Sequence, residues 1–67
     1  MKLKTFLKLM DSGLVKLTGG IQCEPIDKED IFELSEIYGF DLGEYIVDGF
    51  FYSKLYNCIL VETSKGE

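Results

Sequence analysis

The apolar residues of the first ten positions follow the period of a helix. Positions 3, 6, 7 and 10 are Leu, Phe, Leu and Met, which is the i, i+3, i+4, i+7 spacing of an amphipathic helix. Positions 3, 5, 7 and 9 also alternate like a strand. Leucine, lysine and methionine favour the helix, however, and Asp11-Ser12-Gly13 supplies a glycine to end it. We therefore predict a first helix over residues 2–10.

The next segment has the pattern of a β-hairpin. Residues 14–18 and 21–24 are apolar-alternating runs on either side of Gly19-Gly20. Two adjacent glycines supply the positive φ angles that a tight hairpin turn needs. A phosphate-binding glycine loop is the alternative, but it needs more glycines and a helix after them, and here a strand follows.

Residues 27–38 carry the clearest helix signals in the chain. Pro25 ends the preceding strand, Asp27 is a capping residue, and Gly39 is suited to the left-handed end of a helix. Apolar residues at positions 31, 34 and 38 form a stripe that we expect to face the core. The opposite face of the predicted helix carries Glu29, Glu33 and Glu36.

The last third of the chain returns to strand patterns. Residues 38–62 hold seven of the nine aromatic residues, and Cys58-Ile59-Leu60-Val61 is the most β-prone apolar run. We predict antiparallel strands over residues 44–52 and 57–63, joined by residues 53–56. Asp48-Gly49 could instead form a tight turn. We prefer a bulge at Gly49, because the run from Cys58 to Val61 needs a long strand beside it.

These elements predict one α+β domain over residues 1–67. The layout is helix–hairpin–helix–hairpin, a two-layer sandwich with a small antiparallel β-sheet and both helices on one face. The order of the strands does not follow from the pattern. Strict alternation would put positions 45, 47 and 51 on one layer and positions 46, 50 and 52 on the other.

Composition narrows the class of protein. A hydrophobic fraction of 46% is normal for a globular domain, so disorder is not expected. Two cysteines are too few for a secreted disulfide framework, and their spacing fits no zinc site. We expect Cys23 and Cys58 to be buried free thiols, with one bridge between them as the alternative. No signal peptide or membrane span is apparent, so we expect a cytoplasmic protein.

The layout resembles that of a group of small phage proteins. The opening Met-Lys-Leu-Lys helix, the strand Leu14-Val15-Lys16-Leu17 and the closing strand Ile59-Leu60-Val61-Glu62 look like those of small uncharacterised proteins carried by phages and mobile elements of low-GC Gram-positive bacteria. The use of lysine as the only basic residue is similar to the bias of such genomes. The resemblance implies a bacterial host cell and a role in binding and inhibiting a host protein.

Catalytic chemistry finds little support in the residue types. The chain has no histidine, which is the commonest general base and the usual partner of Ser or Cys nucleophiles. The carboxylates at positions 27–36 lack the calcium-loop pattern, and those on the polar helix face are expected to be solvated. We therefore predict no enzyme activity, no catalytic residue, no metal site and no cofactor.

Charge is distributed unevenly along the chain. Residues 24–48 hold nine acids and one lysine, a net charge of −8, whereas residues 1–16 hold four lysines and one acid, a net charge of +3. A normal solvated surface accounts for such acids. The sharper hypothesis is a surface that engages a basic groove on a protein partner. Direct binding of nucleic acid is disfavoured, because the acids repel phosphate and arginine is absent.

These observations predict a small, acidic, non-enzymatic protein-binding module. The resemblance suggests a phage-encoded inhibitor or modulator of a host protein, for example an anti-defence protein that occupies the nucleic-acid-binding groove of a nuclease. The alternative is an assembly subunit that forms a homodimer through its aromatic sheet face or edge strands. The predicted protein-binding residues are Glu29, Glu33, Glu36, Asp41, Glu44, Asp48, Phe50 and Tyr52.

Overall fold

The computed structural model describes residues 1–11 and 13–66. In chain order, these residues form α1 (Leu3–Leu9), β1 (Leu14–Gly19), β2 (Cys23–Asp27), α2 (Lys28–Tyr38), a 3-10 helix (Leu42–Glu44), β3 (Tyr45–Ser53) and β4 (Cys58–Lys65). The predicted α+β class is confirmed. The 3-10 helix was not predicted. The expected stop of the first helix includes Ser12, which lies outside the described residues; α1 ends earlier, where Met10 becomes extended.

The four strands form one mixed sheet in the order β2-β1-β4-β3. The pairs β1–β2 and β3–β4 are antiparallel, whereas β1 and β4 are parallel neighbours. The prediction of a purely antiparallel sheet is therefore wrong. The two hairpins join through β1 and β4, which places these strands at the centre, where each is flanked on both sides. Pro25 lies in β2, an edge strand, where its missing N–H costs least.

The hydrophobic core lies against one face of this sheet, which we call the core face. Val15 and Leu17 of β1 and Val61 of β4 point into it, and all three are almost completely buried. Parallel pairing sets Leu17 beside Val61. Both helices contribute to the same hydrophobic cluster, which contains Leu3, Phe6, Leu7, Val15, Leu17, Ile31, Leu42 and Val61.

A bulge at Asp48 interrupts the pairing of β3 with β4. Val47 is the partner of Thr63, but Gly49, two residues later, is the partner of the very next residue back along β4. The predicted bulge is therefore confirmed against the alternative of a tight Asp48-Gly49 turn. The two residues of the bulge oppose one residue of β4, so the alternation of side chains shifts by one position.

This shift changes which aromatic residues share a face. Phe50 is the partner of buried Val61, so Phe50 lies on the core face, and Tyr52 follows it there. Tyr45 and Val47 pack against the core cluster and lie on the core face as well. The expected grouping, which assumed strict alternation through residue 49, is wrong for this reason.

The connection between β1 and β2 is longer than the predicted two-glycine turn. β1 runs to Gly19, and β2 begins at Cys23. Gly19 has φ +94, and a Cβ at this position would lie 2.0 Å from the backbone oxygen of Thr63. Glycine is required here because β4 passes directly against the backbone.

Both ends of α2 follow the local sequence signals. The side chain of Asp27 accepts a hydrogen bond from the backbone N–H of Glu29 at 3.2 Å, as an N-cap does. Gly39 adopts the left-handed conformation, with φ +74, and its N–H donates to the carbonyl of Ser35. The predicted cap and the predicted stop are confirmed.

Candidate protein-binding surface

The carboxylates that the sequence places on the polar face of α2 are all exposed. Glu29, Glu33 and Glu36 lie on this face, one helical turn or two apart. The single lysine among residues 24–48 is turned away from them: the Lys28 ammonium donates to the carbonyl of Leu7 at 3.2 Å and also to that of Met10. Its charge therefore meets the C-terminal end of α1, which is negative, and does not compensate the acids of its own helix.

One large apolar side chain is exposed next to these acids. Ile37 is 65% exposed and lines one depression together with Glu33. Tyr38 is 74% exposed, so the prediction that it belongs to the buried stripe is wrong: Gly39 ends α2 immediately after it, and the last turn extends past the core. Tyr38 lies on the side of α2 opposite the acids, where it lines a depression with Ile31 and Leu34. We call the surface formed by Glu29, Glu33, Glu36 and Ile37 the α2 surface.

The structure connects two further predicted residues to this surface. Glu36 and Asp41 line one depression of about 450 Å³, together with Lys4 and Phe40. Asp41 and Glu44 line a second depression of about 370 Å³, which also receives Lys2 and Lys65. Three of the predicted acids therefore follow one another from α2 to the start of β3, and lysines of other segments line the depressions of all three.

Two of the predicted acids also hold the backbone or a neighbouring side chain in place. Asp41 accepts a hydrogen bond from the N–H of Gly43 at 2.8 Å and so begins the 3-10 helix. Asp48 accepts from the hydroxyl of Ser64 at 3.1 Å. Both remain exposed, so the same carboxylates are available to a partner.

Phe50 and Tyr52 are placed apart from the α2 surface. They lie on β3, whereas α2 packs beside β2, the strand at the opposite edge of the sheet. Phe50 is 60% exposed and Tyr52 is 56% exposed. The structure therefore does not join these aromatics and the α2 acids into one patch.

An apolar groove that the sequence did not predict lies beside Phe50. Its volume is about 370 Å³. The Phe6 ring packs at its base, with its centroid 4.9 Å from that of Phe50. The groove is lined by Met1, Phe6, Leu9, Met10, Phe50 and Ile59. One residue in the sequence did indicate an exposed apolar surface on α1. Leu9 lies outside the helical stripe at positions 3, 6, 7 and 10, and an apolar residue outside this stripe faces solvent.

The cysteine thiols are free, and neither is set up as a nucleophile. Cys23 is half-buried, and burial raises the pKa of its thiol, which lowers the thiolate fraction at neutral pH. Cys58 is buried. Within residues 1–11 and 13–66, no three His, Cys, Asp or Glu side chains are grouped so that they could hold a metal ion. No helix in this part of the chain is long and apolar enough to cross a membrane.

Known proteins supply no template for these surfaces. Comparison of the chain with protein-family models, with curated proteins and with solved structures gives no match. The likeness in layout to small phage proteins therefore stays a prediction. Function has to be inferred from the charge, exposure and geometry of the surfaces themselves.

Proposed function

We propose that the chain is a small, non-enzymatic protein-binding module whose α2 surface engages a basic protein. One observation carries the proposal: three exposed glutamates share one side of α2 with exposed Ile37, while the Lys28 ammonium is directed to the end of α1. A solvated helix face needs no large apolar side chains. A binding surface does, because burial of apolar area supplies affinity and charge supplies orientation.

The charge of the surface limits the kind of partner. Carboxylates at Glu29, Glu33 and Glu36 attract lysine and arginine, and they repel phosphate and other acids. A groove that normally holds nucleic acid offers such a basic lining, so we propose that it is the kind of site engaged. A role as an inhibitor or modulator of a host protein is what the resemblance to phage proteins implies.

The absence of histidine from the sequence supports a non-enzymatic role. Histidine is the residue most often used as a general acid or base near neutral pH. The raised pKa of the half-buried Cys23 thiol argues in the same direction, because a nucleophilic cysteine needs a lowered pKa.

The proposal is tested by reversing the charge of the α2 surface. We expect Glu29→Lys/Glu33→Lys/Glu36→Lys to lose the protein that the wild-type chain captures from a host lysate. A matched control carries the same change in net charge at three exposed acids outside the surface, Asp11, Glu24 and Glu62. Capture of the same protein by the α2 variant would show that the surface is not the binding site.

A second pair of variants separates apolar contact from charge. Ile37→Ser removes exposed apolar area at the α2 surface without changing its charge, and Tyr38→Ser, on the opposite side of the helix, is the matched control. Ile37→Ser should weaken binding by about 1 kcal/mol or more and Tyr38→Ser should not, and both should leave the melting temperature nearly unchanged. Unchanged affinity of Ile37→Ser would show that the surface consists of ordinary solvated acids.

The alternative function is a homodimer, and a different part of the structure favours it. β3 is an edge strand, and its aromatic residues are more than half exposed at positions 50 and 52. An exposed strand edge presents unpaired backbone groups to other chains. This edge is separate from the α2 surface.

A further inference from the structure

The outward edge of β3 is covered over part of its length. The backbone N–H of Val47 donates to the carbonyl of Met1 at 2.8 Å, and Ile46 forms a bridge with Lys2. The N-terminal segment therefore occupies the edge at the start of β3. The strand ends at Ser53, where the turn of residues 54–57 begins. Within residues 1–11 and 13–66, no strand pairs with the outward edge of residues 49–53.

The pairing of β3 with β4 shows which backbone groups face outward along this stretch. The N–H of Val47 points away from β4, so Val47 and Thr63 form a non-hydrogen-bonded pair. Along β4, hydrogen-bonded and non-hydrogen-bonded pairs alternate from residue to residue. The bulge does not interrupt this alternation, because the extra residue lies on β3. Phe50 and Tyr52, opposite positions 61 and 59, therefore also point their N–H and C=O groups outward.

We propose that this edge pairs antiparallel with the same segment of a second copy of the chain, about a two-fold axis at Phe51. In this register Gly49 meets the partner's Ser53, and Phe50 meets the partner's Tyr52. Phe50 and Tyr52 exchange backbone hydrogen bonds across the axis, because both direct their backbone groups to the edge. The result is one continuous sheet of eight strands.

The exposed stretch of this edge is complementary to itself when reversed. Gly49 and Ser53 are small residues at its two ends, and three aromatics form the middle. Pairing places every aromatic opposite an aromatic, which is among the favourable cross-strand combinations.

The length of the open edge favours a second copy over a longer unrelated strand. The N-terminal segment bounds it at Val47 and the turn bounds it after Ser53, and residues 49–53 of a second copy have the same length. These residues contain no charge and no proline, whereas the opposite edge strand β2 carries Pro25.

The apolar groove beside Phe50 adds surface that the dimer would cover. Phe50 lines this groove, and Tyr52 lies on the same face of β3. Pairing brings the partner's Tyr52 directly opposite Phe50 on the core face, at the side of the groove. Phe51, which is 50% exposed, meets the partner's Phe51 on the other face of the sheet. Both faces of the joint therefore bury aromatic area.

Sedimentation across a dilution series from millimolar to micromolar tests the pairing. We expect a dimer for the wild type, and Phe51→Lys should raise the dissociation constant at least about tenfold, because two lysines then oppose each other at the axis. Leu55→Lys is the matched control: Leu55 is 84% exposed in the adjacent turn, outside the paired register. A monomer at millimolar concentration, or a dimer indifferent to Phe51→Lys, would overturn the proposal.

Cross-linking gives a readout that does not depend on affinity. In a non-hydrogen-bonded antiparallel pair the two Cα atoms are about 4.5 Å apart, a distance that a disulfide spans. Phe51→Cys should therefore form a covalent dimer under mild oxidation. Leu55→Cys and the wild type, with Cys23 and Cys58, control for random collision and for native thiols. Equal cross-linking of both variants would refute the two-fold axis.

The interface specifies the alternative function, the homodimer, and rests on it, but it is independent of the α2 surface. The Glu29, Glu33 and Glu36 variant tests the α2 surface and leaves the β3 edge intact. If Phe51→Lys is monomeric and still captures the basic partner, the two surfaces act separately. If the wild type is monomeric and captures the partner, the dimer proposal alone fails.

Discussion

The hydroxyl of Thr63 donates a hydrogen bond to the backbone carbonyl of Thr18, with 2.6 Å between the two oxygens. The same hydroxyl accepts from the backbone N–H of Ile21 at 3.2 Å. Thr63 is only 4% exposed and lies in β4, whereas Thr18 and Ile21 lie at the end of β1 and in the connection that follows it. One buried side chain therefore ties this connection to the parallel central strand.

Thr63→Val is expected to destabilise the fold by about 1–3 kcal/mol, because the shape is kept but the amide of Ile21 and the carbonyl of Thr18 lose their partner. Urea unfolding followed by circular dichroism measures the change. Thr5→Val is the matched control, since Thr5 is exposed on α1, and it should change stability by less than about 0.5 kcal/mol. Equal midpoints for the two variants would show that the hydroxyl contributes nothing.

Gly19→Ala is expected to be the most damaging glycine substitution in the chain. The added methyl group would meet the Thr63 carbonyl oxygen at 2.0 Å, and the backbone has φ +94. Either β4 moves away or the connection changes conformation, at a cost of about 3 kcal/mol or more. Thermal melting should show an early transition or no transition.

Two other glycines separate the effect of backbone conformation from that of space. Gly39→Ala keeps a positive φ, +74, but has nothing within 4 Å, so it should cost about 1 kcal/mol. Gly49→Ala also has open space, and no positive φ opposes it. It should be nearly neutral. If Gly19→Ala and Gly39→Ala had the same melting temperature, the contact between Gly19 and β4 would be unimportant for stability.

Asp27 makes stability depend on pH in the acid range. A hydrogen bond with the Glu29 side chain, followed by the bond from the Glu29 backbone N–H, lowers the pKa of the Asp27 carboxyl below its usual 3.8. Because the pKa of Asp27 is lower in the folded protein than in the unfolded chain, the carboxylate stabilises the fold fully above the unfolded pKa. This stabilisation is lost as the pH falls through the folded pKa.

Asp27→Asn keeps an oxygen to accept the capping bond but removes the charge. We expect the stability difference between wild type and Asp27→Asn to be constant above about pH 5 and to shrink as pH falls below 3.8. Urea midpoints measured at several pH values test this. A difference that stays constant down to pH 2 would show that the carboxylate charge does not act through the cap.

Local signals in the sequence were sufficient to locate both helices and the strands β1, β3 and β4. β2 was predicted over residues 21–24 but spans Cys23–Asp27, so Pro25, which was expected to end the strand, lies inside it. The cap at Asp27, the glycine at position 39 and the bulge next to Gly49 each depend on a few neighbouring residues. The parallel pairing of β1 with β4 could not be predicted in the same way. Alternation shows which side chains share a face of a strand, but not which strand lies beside it. The bulge then reversed the expected faces of Phe50 and Phe51.

The candidate surfaces were predictable to a similar degree. Glu29, Glu33 and Glu36 were placed by helical periodicity, which is sufficient to predict exposure. Exposure of Tyr38 depends on where α2 ends relative to the core, and the groove beside Phe50 depends on how α1 packs over β3. Both are tertiary relationships. The hydrogen bonds from Lys28 to the end of α1 could not be predicted for the same reason, since the accepting carbonyls lie 18 and 21 residues away along the chain.

Lys28 should therefore stabilise α1 even though it belongs to α2. Its ammonium donates to the carbonyl of Leu7, which also accepts from the Met10 N–H at 3.3 Å, and to the carbonyl of Met10, just past the end of the helix. Lys28→Met keeps the aliphatic stem but removes the donors, and we expect a loss of about 1–2 kcal/mol, measured by urea unfolding. Lys54→Met, at an exposed turn position, is the control and should be nearly neutral. Hydrogen exchange should localise the effect: the amides of α1 lose protection in Lys28→Met, and those of α2 do not. Equal loss in both helices would mean that Lys28 stabilises its own helix and not the end of α1.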